Sequence, residues 1–363
     1  MIVKLGDVCK KASSNIAQKD LQGRDGTYPI YGASGLIKYV DFYQQELPYI
    51  AVVKDGAGIG RTMLLPAYSS VIGTMQYILP IKYDEVDLEY LYYAITYMNL
   101  GKYFSGATIP HIYFKDYKKE QLVLPNIKKQ QTIARIFKHV DELINKRREE
   151  HKKLDELVKS RFVELFRDYR PEIKLSNVAD ITGGLTKNSK RDKMDIKLPY
   201  LRVANVLYNN IDVSDVLEIG LTEVEKTKTL LKYGDLLFVE GNGSPDQIGR
   251  VAVWRDEIVP CVHQNHLIKA RFKEHTILPM FAMYYYMTQD GREQIKKKAV
   301  STSGLYTLSI SKVENFLIPY PPLDLQKQFI AFVEQVDKSK LAVQKSLDEL
   351  ETLKKSLMQQ YFG

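Results

Sequence analysis

The chain has 363 residues, 45% hydrophobic and 26% charged, enough for two or three domains that each bury a core. No run reaches the roughly 18 apolar residues of a membrane helix, and Met1–Lys11 has no apolar signal-peptide core, so a soluble cytoplasmic protein with no membrane partner is predicted. Cys9 and Cys261 lie far apart and outside any Cys-x-x-Cys pair, which argues against a disulfide framework or a zinc site, while 52 Lys and Arg against 44 Asp and Glu leave a net charge of +8 that suits a polyanionic partner.

Residues 1–124 read as a first strand-rich domain with glycine turns. Tyr49-Ile-Ala-Val-Val53 is a strand, Lys54–Gly58 a loop, and Ile59-Gly60-Arg61 leads into a second strand ending at Pro66. Leu88–Met98 is helical. Pro125 then opens a helix over 125–168 with no internal proline or glycine. Steps of four and three along it pass Ile133, Phe137, Val140, Ile144, Leu154, Val158 and Leu165, the apolar seam of a paired helix. Residues 169–320 form a second strand-rich domain. Asp235-Leu-Leu-Phe-Val239, the loop Glu240–Gln247 and Ile248-Gly249-Arg250 echo the strand, loop and strand of the first, and Met280–Gln289 is helical. Pro321-Pro322 opens a last helix over 321–363, with its seam at Phe329, Val333, Val336, Val343, Leu347, Leu350 and Leu357. Each helix is about 40 residues, or roughly 60 Å, long.

The chain is written twice. The shift that carries Pro125 onto Pro321 runs without a gap to Phe166 on Phe362, with identities at Gln130/Gln326, Val140/Val336, Asp141/Asp337, Leu154/Leu350 and Ser160/Ser356. A shorter shift lays Lys4-Leu5-Gly6-Asp7-Val8 over Lys174-Leu175-Ser176-Asn177-Val178 and Pro29 over Pro199, so the second copy holds extra residues in its interior. The predicted class is α+β: two strand-rich α/β domains separated by two long helices that form an antiparallel coiled coil, a pseudo-two-fold internal repeat. Scaffold is kept while loop content changes, as in domains that carry recognition on variable loops.

Several segments resemble the specificity subunits of type I restriction–modification systems. They are Tyr28-Pro-Ile-Tyr-Gly-Ala-Ser-Gly35, Leu198-Pro-Tyr-Leu-Arg-Val-Ala-Asn205, Gly234-Asp-Leu-Leu-Phe-Val239, Ile248-Gly-Arg250 and Pro321-Pro-Leu-Asp-Leu-Gln326. The resemblance covers essentially the whole chain, duplication included. It departs where Pro125-Asn126-Ile127 replaces the double proline and where Leu325, in place of an acid, precedes Gln326. It implies that each domain reads one half of a split target in double-stranded DNA. It also implies that the helices act as a ruler and dock two methylation subunits, and that restriction subunits join. S-adenosylmethionine, ATP and magnesium then belong to those partners, and this chain has no cofactor of its own.

The residues themselves offer no rival chemistry. Tyr320-Pro-Pro-Leu323 lacks the amide or acid before, and the aromatic after, that a base-flipping methyltransferase loop requires. Gly56-Ala-Gly-Ile-Gly60 runs into a strand and not into the helix that a dinucleotide loop must open. No phosphate-cradling NTPase loop occurs, Pro245-Asp246 has no nuclease partner, and His263 and His266 have no third ligand nearby. No catalytic or metal residue is predicted. A coiled-coil adaptor without DNA explains the helices but not two domains with divergent loops. Base reading needs polar side chains on loops, with Lys and Arg on phosphates. The candidates in the first domain are Ser34, Lys54, Arg61, Ser105, Thr108 and His111. In the second they are Asn242, Ser244, Gln247 and Arg250, then Gln264, Asn265 and His266, then the loop of Ser301, Thr302, Ser303 and Tyr306. Arg61 and Arg250 recur at one structural position, which suits a phosphate contact or a salt bridge within the domain.

Overall fold

The computed structural model describes residues 1–106, 110–302 and 304–363, with Thr302 described by its backbone alone. The chain forms two compact units. One combines Met1–Glu150 with Val343–Gly363, and the other is the continuous stretch His151–Ala342.

In the first unit a four-stranded antiparallel sheet runs in the order Cys9–Ser13, Met75–Pro80, Tyr49–Val53, Thr62–Leu65. Tyr49–Val53 is buried at every position, because alternate side chains enter different cores. Ile50 and Val52 pack with Ile78 against the helical side, while Tyr49, Ala51 and Val53 pack with Met75 and Tyr77 on the other face. A second sheet orders Gly35–Val40, Tyr28–Gly32 and Ser70–Val71, the last pair parallel, with Ile30 opposite Ser70. Helix Leu88–Tyr97 starts at Asp87, whose carboxylate accepts from the Tyr90 amide at 2.8 Å.

The second unit repeats this plan strand for strand. Ala179–Gly183, Leu267–Phe272, Leu236–Val239 and Val251–Val253 make the four-stranded sheet. Leu217–Leu221, Ile196–Leu201 and Val262–His263 make the three-stranded one, again with a parallel pair, Tyr200 opposite Val262. The extra residues of this copy build the hairpin Val206–Leu207/Asn210–Ile211 and the helix Glu223–Thr229. That helix carries a capping box between Thr222 and Glu225. The sheet of Gly241–Asn242, Leu305–Thr307 and Val300–Thr302 stands where the first unit makes the bridges Asp55–His111 and Ser105–His111.

The two long helices are Ile127–Phe166 and Leu323–Phe362, each of 40 residues. Within each unit the portions that belong to it pair antiparallel. In the first, Phe137 stacks on Phe362 at 5.6 Å and Arg148 pairs with Glu351 at 2.8 Å. In the second, Phe162 meets Phe329 at 5.2 Å and Lys340 pairs with Asp155 at 2.6 Å. Ile133, Phe137, Val140, Ile144, Val158, Phe329, Val333 and Val336 are buried, and Leu154, Leu165, Val343, Leu347, Leu350 and Leu357 are half-buried. Polar residues that fall on the seam find partners: Arg147 donates to Ser346 at 3.2 Å, and Lys354 bonds Asp141. Such pairs fix register at some cost in stability. Phe162, Phe166 and Met358 lie off the heptad steps and are buried all the same, because they also cover the domain core: Phe162 and Phe166 pack on Phe281 as well as on Phe329, and Met358 joins the core of the first unit. No helix among the described residues is long and apolar enough to cross a membrane.

Candidate nucleic-acid interface

In the first unit the chain leaves the sheet after Val53 and re-enters at Thr62. Gly56, Gly58 and Gly60 take φ values of 82°, 90° and 79° on the way. At Gly60 a Cβ would stand 2.2 Å from the amide nitrogen of Gly101, so only glycine fits. The loop is closed by the amide of Gly60 donating to the Val53 carbonyl at 2.8 Å and that of Val53 to the Arg61 carbonyl at 2.9 Å. Arg61 then donates through Nη1 to the Ala33 carbonyl at 2.9 Å, which holds the loop beside the turn bearing exposed Ser34. On the other side of the loop, Lys54 accepts through its carbonyl from the Ile112 amide at 3.0 Å. There His111 sets Nδ1 against the Asp55 carboxylate and its ring 4.2 Å from Tyr113. Ser105 joins them through its amide, which donates to the His111 carbonyl at 2.8 Å. Ser34, Lys54, Arg61, Ser105 and His111 thus all border one glycine loop. Thr108 lies outside the described residues.

The second unit repeats the closure. The Gly249 amide donates to Val239 at 3.0 Å and that of Val239 to Arg250 at 2.9 Å. Arg250 donates to the Val203 carbonyl at 3.3 Å, and Val203 stands where Ala33 stands in the first copy. Of the phosphate contact or internal salt bridge that its recurrence suggests, no salt bridge occurs among the described residues; in both copies the arginine donates to a backbone carbonyl. A guanidinium has five donors, so each keeps others free. Arg250 also donates to Gln247 at 3.2 Å, and Gln264 accepts from the Val203 amide at 3.3 Å, so Gln247, Arg250 and Gln264 form one set around Val203. A second set surrounds Glu240. His266 contacts its carboxylate at 3.0 Å, and Asn242 pairs along the backbone with Tyr306, as Ser301 also does. Asn242 accepts from the Ser244 amide at 2.9 Å in a local turn. Asn265 is half-buried, with its backbone amide on Leu185 at 3.0 Å. Ser303 lies outside the described residues, as does the side chain of Thr302.

Several residues of this surface escaped the sequence reading. By sequence Glu240 is only the edge of a loop, yet a carboxylate there is suited to accept from a cytosine amino group. Arg292 donates to the carbonyls of Gly249, Asp246 and Ile248 at 3.1, 3.2 and 2.7 Å, and burial lowers its pKa. Lys296 pairs with Asp246 at 2.6 Å, and Tyr208 donates to the Asp246 carbonyl. These long-range bonds hold the 244–249 loop, and no local pattern announces them.

Among the described residues no three His, Cys, Asp or Glu side chains group to hold a metal ion. His263 is fully buried with Nδ1 on the Thr229 carbonyl at 2.9 Å, whereas His266 is exposed, so the two do not converge. Burial pushes the thiols of Cys9 and Cys261 up to about 12, far from a reactive thiolate.

Comparison with known proteins bears on this surface. The model of the type I restriction modification DNA specificity domain matches residues 1–154 and again 170–352. The putative type I restriction enzyme MjaX specificity subunit of Methanocaldococcus jannaschii is 28% identical over 189 residues, 50% of this chain and 42% of that protein. The EcoKI specificity subunit of Escherichia coli K12 is 24% identical over 219 residues, 56% of this chain and 46% of that protein. These two matches thus span under half of their relatives' lengths. The MjaVIII specificity subunit of M. jannaschii is 23% identical over 392 aligned positions, 98% of this chain and 90% of that protein. Among solved structures, the type I S subunit from M. genitalium superposes with a TM-score of 0.60 at 17% identity, covering 100% of this chain and 96% of that one. A chain from a study of assembly and conformational transition of the type I system reaches 0.58 at 14% identity, covering 99% and 97%. At these identities the structural likeness speaks for the fold.

Proposed function

The chain belongs to the family of type I restriction modification DNA specificity domains, and from that premise we propose that it reads a bipartite target in double-stranded DNA, one half-site per unit. The carrying observation is that the two units agree in their frame down to single hydrogen bonds and differ in the loops that frame presents. Arg61 on Ala33 and Arg250 on Val203 are equivalent bonds. The loop between Val53 and Gly60 is glycine-rich and carries Lys54 and Asp55, whereas the loop between Val239 and Gly249 is longer and carries Glu240, Asn242 and Gln247. A fixed frame with changed loops alters which bases are read without altering how the reader is held.

In this reading the chain has no catalytic role. It guides two methylation subunits that bind S-adenosylmethionine, and restriction subunits that use ATP and magnesium, to the site it has read. The test is an exchange of residues 1–124 for the same region of a relative, followed by mapping of methylated bases across the genome. One half of the methylated motif should change, and the other half and the spacing should stay. If both halves change, or no motif depends on this chain, the division of labour is wrong.

A further inference from the structure

The first unit holds a lysine-lined cleft beside the glycine loop, sharing Lys54 and His111 with the surface described above, and the second unit lacks it. Edge strand Cys9–Ser13 contributes Lys11 and Ser13, the end of Tyr49–Val53 contributes Lys54, and the segment around helix Phe114–Tyr117 contributes Lys115 and Lys118. They surround a hollow of about 410 Å³ that His111 also borders. Lys11, Lys115 and Lys118 are exposed and make no salt bridge among the described residues. The nearby acids are already engaged or face elsewhere. Asp55 contacts His111 and stands 3.8 Å from Lys54, Glu120 is bonded to Lys102, and Asp116 lines a separate hollow. Like charges converge on a common space only at an electrostatic cost, which an anionic ligand relieves.

The equivalent positions of the second unit follow from the shared pairings. Ser13 and Gly183 end equivalent strands, and Leu5 and Leu175 donate to the carbonyls of Glu120 and Phe316 at 2.8 and 2.7 Å. Lys11, Lys54, Lys115 and Lys118 therefore correspond to Ile181, Glu240, Ser311 and Glu314. Four cations become an apolar residue, a hydroxyl and two acids.

We propose that the cleft of Lys11, Lys115 and Lys118, with Lys54 at its rim, grips backbone phosphates of the DNA duplex beside the half-site read by the first unit. This rests on the DNA-reading proposal and adds to it an unequal division of labour. The first unit supplies a grip independent of sequence, and the corresponding face of the second does not. Phosphate contacts fix position and carry no base information, and each one neutralised contributes about 0.9 to the salt slope of binding.

The test compares K11Q/K115Q/K118Q with the wild type, each as the complex purified through a tag on this chain, on target and random duplexes. From about 50 to about 200 mM salt the wild type should lose about 40-fold more affinity than the variant, three contacts at that slope. The methylated motif should be unchanged, and K11R/K115R/K118R should restore the slope. An unchanged slope overturns the proposal, as does a changed motif, which would make these residues base readers. A wild-type complex that binds no duplex at all would instead bring down the DNA-reading proposal on which this one rests.

Discussion

Gln130 and Gln326 make equivalent sets of bonds in the two units. The Gln130 side chain accepts from the Asp87 amide at 2.9 Å and donates to the carbonyls of Pro125 at 2.8 Å and Glu85 at 3.0 Å. Gln326 accepts from the Leu278 amide at 2.8 Å and donates to those of Pro321 at 2.9 Å and Thr276 at 3.5 Å. Both side chains are fully buried. Each ties the first turn of a long helix to the N-terminus of a domain helix, and satisfies backbone groups that neither helix satisfies itself.

Replacing either glutamine with methionine keeps the volume and strands those buried groups. Gln130→Met and Gln326→Met should each cost about 2–4 kcal/mol. They share no partner, so the double variant should show the sum of the two losses. Chemical denaturation of the three variants checks this, and a double variant no worse than either single would break the equivalence.

His263 gives a pH dependence of known sign. Burial holds its pKa down at about 3, from an ordinary 6.5, so the folded protein keeps it neutral while the unfolded chain takes a proton. Its contribution is complete above pH 6.5 and is lost as pH falls from there toward 3, at about 1.4 kcal/mol per pH unit for one proton. Melting curves at stepped pH should show His263→Gln losing less stability than the wild type between pH 6.5 and 4.5. Parallel curves would assign the acid loss to other groups.

Arg61→Lys and Arg250→Lys keep the charge but lose the planar fork that reaches a carbonyl. Each should cost about 1 kcal/mol of stability and broaden the bases accepted in one half of the methylated motif only, a different half for each variant. Methylome sequencing decides. Broadening of both halves by one substitution would mean that these arginines act on the protein as a whole.

The purified chain, given S-adenosylmethionine and duplex DNA without other subunits, should transfer no methyl group. Labelled-methyl incorporation above a no-protein blank would place chemistry in a surface where no residues have been found to carry it.

Much of the frame was legible in the sequence because it repeats. The ungapped match from Pro125/Pro321 to Phe166/Phe362 carried both long helices, and the echo of Ile59-Gly60-Arg61 in Ile248-Gly249-Arg250 carried the loop closures. Phe162, Phe166 and Met358 fall outside the seam because heptad steps describe one contact face, and these residues also pack on the domain core. The parallel pairings of Ile30 with Ser70 and Tyr200 with Val262 join segments with no local signal between them. Within the candidate surface, residue type and loop position nominated side chains. What Glu240, Arg292 and the three lysines of the cleft do depends on which strands lie side by side, and spacing along the chain does not encode that.

The second unit is one unbroken stretch, His151–Ala342, while the first needs Val343–Gly363 to complete its core. On the ribosome the order of completion is therefore the reverse of the order of synthesis. The first unit is made early but lacks Met358 and Phe362 until the final residues emerge. At about 5–20 residues per second the roughly 200 intervening residues leave its Phe137 and Ile133 uncovered for on the order of 10–40 seconds. A nascent chain paused in that interval should therefore offer an apolar helix face to chaperones and proteases until residues 343–363 cover it.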